Sequence, residues 1–505
     1  MILTKFIFHF LDSRNEQIDL YASKFSSIQN NQLKYLIKQA QNTLFGNQYN
    51  FKNCVDHETF AKNVPLQNYD SLKSYINMAI QGESDILWPG KVKWFAKSSG
   101  TTNDKSKFIP ITNDALDNCH YKAAKDTLAL YARINPDSEV LSGKSLILGG
   151  SHEIKNETAH TYTGDLSAIL LQNTPDYFNF VRVPEKKIIL MSEWESKLKE
   201  IIRTTKNADV RSIAGAPSWM LVMIKALLDN TNSCYLTDLW PNLEVFFHGG
   251  ISFTPYREQY KALIPSNNMH YMETYNASEG FFAIQNDLTD PAMLLMLDLG
   301  IYYEFIPMDE FNDTDSKAIP LEEVELNKNY ALVISTNTGL WRYIIGDTVK
   351  FLSKEPYKII ITGRTKHYIN AFGEELMVDN ADKALAIASE KHCVKIMDYT
   401  GAPVFMSENA KGKHQWIIEF DHAPKDIKAF TNDFDNALKE QNSDYEAKRY
   451  KDITLDSPEI VIARPNLFHD WLASKGKLGG QNKVPRLANN RDLINILLEM
   501  NKSIG

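Results

Sequence analysis

Apolar residues recur along this chain with two different periods. Between about 15 and 45, Leu20, Tyr21, Phe25, Ile28, Leu33, Leu36 and Ile37 fall at helical spacing, which predicts helix packed by one face against a core. Further helices are expected near 69–82, from the cap-like Thr112-Asn113-Asp114 to about 134, and over 218–229. Between them lie short continuous apolar runs at 145–148 and 243–247, of the kind that forms buried strands, and both stop at paired glycines, Gly149-Gly150 and Gly249-Gly250. Helices alternating with such strands predict an α/β fold. In open sheets of this class ligands bind beyond the carboxyl ends of the strands, where these glycines would sit. A plain tight turn is the other reading for each pair, and His248 reads equally as a buried core histidine or a ligand contact.

The pattern changes toward the carboxyl end. Strands are expected at 330–336 and 358–362, and the remainder from about 366 reads as a compact α+β unit. Ile427, Phe430, Phe434 and Leu438 mark an amphipathic helix, 414–420 and 459–463 mark strands, and 493–500 a last helix. No internal repeat or low-complexity tract interrupts the chain.

Composition narrows the function classes. With 505 residues the chain is long enough for more than one core, and 43% hydrophobic with 23% charged residues is ordinary for a globular protein. A net charge of −8 and a pI near 5.9 argue against a general nucleic-acid binder. The four cysteines, Cys54, Cys119, Cys234 and Cys393, form no C-x-x-C pair, which fits a reducing, cytoplasmic setting and offers no zinc spacing. His152-Glu153 lacks the second histidine of H-E-x-x-H. The apolar start, Met1 to Leu11, is too short and interrupted for a secretory core and reads as a packed segment, and no run is long enough to span a bilayer.

Candidate chemistry concentrates first at Lys93 to Ile111. Two strand-like runs flank Ser98-Ser99-Gly100-Thr101-Thr102-Asn103-Asp104-Lys105-Ser106-Lys107, which predicts a β-hairpin with a polar tip. Hydroxyl donors, a glycine that lets backbone N–H groups approach oxygen, and Lys105 or Lys107 suit a polyphosphate; a solvated turn is the alternative. A Walker P-loop is disfavoured, because Asp104 replaces its second glycine and a strand-like run ending in Pro110, not a helix, follows.

This loop resembles the S-S-G-T-T-x-x-x-x-K phosphate loop of the GH3 family of acyl acid amido synthetases, members of the adenylate-forming superfamily that includes acyl-CoA synthetases and firefly luciferase. Three further segments resemble that family in the same order. Tyr275-Asn276-Ala277-Ser278-Glu279 matches Y-x-x-S-E. Trp341-Arg342-Tyr343-Ile344-Ile345-Gly346-Asp347 is similar to Y-R-Y-R-x-G-D, departing at Trp341 and at Ile344, where an arginine charge is lost. Gly476 to Arg486 resembles the C-terminal G-x-x-G-x-Q-x-K-x-P-R element, and Gly363-Arg364-Thr365-Lys366, continued by Gly373-Glu374-Glu375, resembles the joint between a large and a small domain.

The resemblance implies a large N-terminal α/β domain, 1–365, with sheets flanked by helices, and a small mobile C-terminal α+β domain, 366–505, pivoting at Lys366. It implies ATP and Mg²⁺, with Ser98, Ser99, Gly100, Thr101, Thr102 and Lys107 on the phosphates, Tyr275 against adenine beside Ser278, and Glu279 on the metal. Asp347 and Arg364 would take the ribose, although a structural salt bridge also suits Asp347, and Lys483 would stabilise the adenylation transition state. Gly249 and Gly250 would line the acyl site. The implied activity joins a carboxylic acid to AMP and then to an amine, usually of an amino acid; an acyl-CoA ligase and a non-catalytic nucleotide-binding protein are the alternatives. The implied partners are these small molecules alone, with no nucleic acid and no membrane. The acid pocket is expected from 113–135, 160–180 and 212–225.

Overall fold

The computed structural model describes residues 2–98, 107–148, 155–158, 160–174, 180–191, 194–250, 253–311, 316–365, 368–369, 374, 376–404, 412–442, 445–446, 449, 455–476, 483–488 and 490–502. The apolar stripe at the start of the chain forms helices Ile2–Asp19 and Tyr21–Ala40, with Tyr21, Leu33, Leu36, Ile37 and Ala40 buried. Arg14 ties the first helix down through Asp126 at 2.7 Å and Asp298 at 2.6 Å.

The expected hairpin is present. Trp94–Ser98 pairs antiparallel with Lys107–Ile111, and Ser98 faces Lys107 across the base of the loop. Thr112 caps the helix that follows, its hydroxyl accepting from the Ala115 N–H at 3.0 Å.

The main sheet changes character along its width, and the change positions the site. Lys144–Ile147, Val210–Gly215, Val245–Gly249 and His270–Ala277 run parallel; the first and third are the buried runs expected at 145–148 and 243–247, and the other two were not expected as strands. Beyond His270–Ala277 the neighbours are antiparallel: Gly280–Gln285, Met293–Leu295, Tyr357–Arg364, Tyr343–Lys354, Asn329–Thr336 and Ile301–Pro307. The C-terminal residues build a separate sheet of Ile396–Val404, Lys413–Phe420 and Glu459–Ile462. Its own core includes Tyr399, Trp416, Phe430, Phe434 and Leu438, the last four on elements the sequence pattern had marked.

The motif around Arg342 turns inward. Trp341 is fully buried among Phe45, Phe51, Phe60 and Trp88. Ile344 packs against Ile306, Ala331 and Val333. Arg342 donates to the Glu304 carboxylate at 2.8–3.1 Å and to the carbonyls of Ala61 and Val64. Burial alone would raise the Glu304 carboxyl, but His57 and Arg342 hold it below its ordinary value. Arg342 therefore belongs to the core and carries no charge to a ligand. Glu304→Ala leaves a buried guanidinium unpaired and is expected to cost about 3–5 kcal/mol, read as a fall in the urea midpoint; an unchanged midpoint would contradict this account.

Candidate active site

Strand Val245–Gly249 ends in a floor that excludes side chains. A Cβ on Gly249 would lie 2.4 Å from the Thr274 carbonyl oxygen, so the neighbouring strand leaves no room for one. Gly250 has φ +83°, a left-handed conformation that suits glycine, and a Cβ there would lie 3.5 Å from Lys483 Nζ. The predicted strand-end glycine and the predicted C-terminal lysine thus meet.

Lys483 reaches this floor from a segment fixed elsewhere. The Gly401 N–H donates to the Arg486 carbonyl at 2.8 Å, and the Thr400 hydroxyl donates to the Pro485 carbonyl at 2.7 Å, binding residues 485–486 to the C-terminal sheet. Lys483 is exposed as a residue while its amine reaches the glycine floor, where protein replaces part of its water. Lost hydration there pulls its ammonium down to about 8, Arg364 and Arg486 adding to the effect and Asp347 opposing it.

Asp347 is braced from two sides. It faces Arg364 in the register of strands Tyr343–Lys354 and Tyr357–Arg364. Arg364 Nε lies 2.8 Å from one oxygen, and the Tyr275 hydroxyl donates to the other at 2.7 Å. A carboxylate has about four acceptor positions, so a vicinal diol could still be bound. The salt bridge anticipated for Asp347 and a ligand role are therefore compatible, and the Arg364 side chain is 42% exposed. Tyr275 is itself only 4% exposed and packs on Phe282, so its main visible task is to orient Asp347.

Ser278 and Glu279 form the two-residue link between strands His270–Ala277 and Gly280–Gln285, both buried. Burial raises the Glu279 carboxyl, while its own backbone N–H, Lys107 and Arg364 work against that rise. Lys107 stands over the Tyr69 ring at 5.8 Å, and the Tyr69 hydroxyl accepts from the Phe108 N–H at 2.9 Å. Among the described residues no group of three or more histidine, cysteine, aspartate or glutamate side chains gathers for a metal. A single buried carboxylate near the polar loop does fit Mg²⁺, which takes one or two protein carboxylates and completes its shell with phosphates and water.

Lys107, Tyr275, Ser278, Glu279, Asp347, Arg364, Gly249, Gly250 and Lys483 are thus described. Ser98 is placed as the end of its strand, and Ser99, Gly100, Thr101, Thr102 and Lys366 lie outside the described residues, as do Gly149 and Gly150. His248 resolves as a core residue: it is 2% exposed, stacks on Phe253 at 4.2 Å, and burial pulls its ring down to about 3. Three groups were given no role by the sequence reading. Tyr343 feels the charges of Glu279 and Arg364; Glu273, opposite His248 in register, is pushed up to about 7 by burial against the pull of Arg257; and Arg486 lies near Lys483. Glu273, two residues before Tyr275 on one strand, had a detectable signal in that spacing alone.

Family models match nearly end to end: the GH3 family N-terminal domain over residues 14–269, the central domain over 294–364 and the C-terminal domain over 379–492. The chain belongs to the GH3 family. It is similar to the 4-substituted benzoates-glutamate ligase GH3.12 of Arabidopsis thaliana, 23% identical with 97% of this chain and 98% of the relative covered. The AtGH3.15 acyl acid amido synthetase in complex with 2,4-DB has the same fold, with a TM-score of 0.80 at 18% identity over 97% of this chain and 96% of the other. A 2-hydroxyisobutyryl-CoA ligase in the postadenylation state follows at 0.60 and 11% identity, over 94% and 91%. The GH3 protein thus shares its fold with both of these enzymes.

Its cleft makes a direct test possible. Amine-selective labelling followed by peptide mass spectrometry should show Lys483 deprotonating with a midpoint about 8, below the ~10.4 of surface lysines. Asp347→Asn removes the opposing negative charge and should lower that midpoint further; a rise would refute the assignment.

Proposed function

We propose that this GH3 protein is an ATP-dependent acyl acid amido synthetase of the cytoplasm. The observation that carries the reading is the meeting of Lys483 with Gly250 in the cleft that also holds Asp347 and Arg364. In the first step a carboxylate oxygen attacks the α-phosphorus of ATP, the bond to the β-phosphate oxygen breaks, and pyrophosphate leaves. In the second an amine nitrogen attacks the acyl carbon, AMP departs, and the nitrogen loses a proton. An amino acid is the favoured acceptor, as the name of the benzoates-glutamate ligase suggests for that relative.

The residues divide the work by chemistry. Ser98, Ser99, Gly100, Thr101, Thr102 and Lys107 hold the phosphates; Tyr275 and Ser278 border the adenine; Asp347, fixed by Tyr275 and Arg364, accepts from the ribose hydroxyls. Gly249 and Gly250 leave the acid room at the floor. The Lys483 ammonium offsets charge that gathers on the transferring oxygens. Glu279 would hold Mg²⁺, which supplies charge neutralisation on the phosphates. We assign the boundary between the two domains to 365/366, with Lys366 as hinge. All four cysteines are free, consistent with a reducing compartment, and among the described residues no helix is long and apolar enough to cross a membrane.

Pyrophosphate release from ATP and Mg²⁺ should be stimulated by members of a panel of aromatic, indolic, fatty and amino acids, and Lys483→Ala should lower it by about 10²–10³-fold. Because the charged amine is the active form, kcat/KM should fall as pH rises through about 8. ATP binding with no acid-stimulated release would favour a non-catalytic protein, and a thioester formed with coenzyme A in place of an amide would favour an acyl-CoA ligase.

A further inference from the structure

Arg486 lies three residues beyond Lys483 and takes no part in the scheme above. Its backbone belongs to the C-terminal sheet: its carbonyl accepts from Gly401, and the Ala488 N–H donates to the Gly401 carbonyl at 3.1 Å. Its guanidinium serves both parts of the chain. On the C-terminal side it pairs with the Asp398 carboxylate, donates to the Tyr399 carbonyl at 3.2 Å and lies 4.6 Å above the Tyr399 ring. The Tyr399 hydroxyl in turn donates to Asp382 at 2.8 Å. On the other side Nη2 donates at 3.3 Å to the hydroxyl of Tyr256, a 4%-exposed residue in the short turn Thr254–Tyr256 just past the Gly249-Gly250 floor. Helix Val378–His392 packs against that same turn.

A fork with separate donors can hold two partners at fixed angles, which a lysine's compact ammonium cannot do. Because Arg486 and Lys483 share one short segment, anything that fixes the guanidinium to Tyr256 also fixes how far the lysine reaches toward Gly250. We propose that Arg486 is a positioning residue for Lys483, clasping Tyr256 of the N-terminal part so that the C-terminal part stays closed with the lysine at the glycine floor. The clasp is a matter of geometry; its catalytic consequence rests on the adenylating function proposed above.

The test uses the full chain and its own cysteines. Cys234, in the N-terminal part, and Cys393, at the end of helix Val378–His392 in the C-terminal part, are exposed, while Cys54 and Cys119 are buried. Spin labels on the exposed pair report the separation of the two parts by pulsed electron resonance, without any ligand. Tyr256→Phe removes the acceptor across the interface and leaves the Arg486–Asp398 pair intact. It should add a second, displaced distance population that the unmodified chain does not show. Arg486→Lys should show the same population, keeping the charge near Asp398 but losing the fork.

With an acid that stimulates pyrophosphate release, Tyr256→Phe should reduce kcat about tenfold, the scale of one hydrogen bond to a charged group, with KM for ATP within about twofold, because Lys483 acts in the transition state. An unchanged distance distribution overturns the proposal, and so does a raised KM with kcat intact. If the distances shift but no acid stimulates release in the unmodified protein, the clasp stands and the adenylating function falls.

Discussion

The cleft depends on bringing an ammonium carried by one part of the chain to a glycine floor built by another. Neither side can be varied freely. Gly250 holds a left-handed backbone within 3.5 Å of Lys483 by its Cβ position, and Gly249 is closed to any side chain by the Thr274 carbonyl. Lys483 lies against the positive charge of Arg364 and of Arg486 on its own segment, while Asp347 draws it the other way. Arg364 and Lys483 both lie within the field of Asp347, so an anion entering there meets two cations beside that carboxylate.

The two carboxylates of the cleft are treated differently by their surroundings. Asp347 accepts from a tyrosine hydroxyl and a guanidinium that come from separate strands, so its orientation is fixed before any ligand arrives. Glu279 sits in a tight link between strands, where burial favours its neutral form and the nearby Lys107 and Arg364 favour the anion. A cation arriving with phosphates would shift that balance toward the anion. The same residue type therefore serves as a rigid acceptor in one place and as a charge-responsive ligand in the other.

How much of this was legible in the sequence depended on whether a role is local. The glycine-ended strand at 245–249, the hairpin and the capped helix after Thr112 all follow from spacing and turn chemistry within a dozen residues, and they form as read. Arg342 was not legible, because its partner Glu304 lies 38 residues away and the two are joined only by the pairing of antiparallel strands. Trp341 and Ile344 look like losses when set against a motif, yet Trp341 is fully buried in the core and the half-buried Ile344 packs against it, so both side chains serve the interior. Arg486 closes the C-terminal element that the sequence named, but no role came with it, because its partners Tyr256 and Asp398 lie far away along the chain.

Titration near neutral pH has also passed away from the usual residue. Histidine ordinarily changes charge in this range, but burial pulls His120 down to about 4 and His248 to about 3, so both rings stay neutral. Glu273 is instead pushed up to about 7 by burial, and Lys483 is drawn down to about 8. The signs agree. As pH rises through 7 the first gains a negative charge, and as it rises through 8 the second loses a positive one, so each step makes the region around the strand ends less attractive to a polyphosphate. An anion entering this cleft would meet lysine and arginine charge, and the groups displaced toward neutral pH are an amine and a carboxyl from opposite ends of the scale.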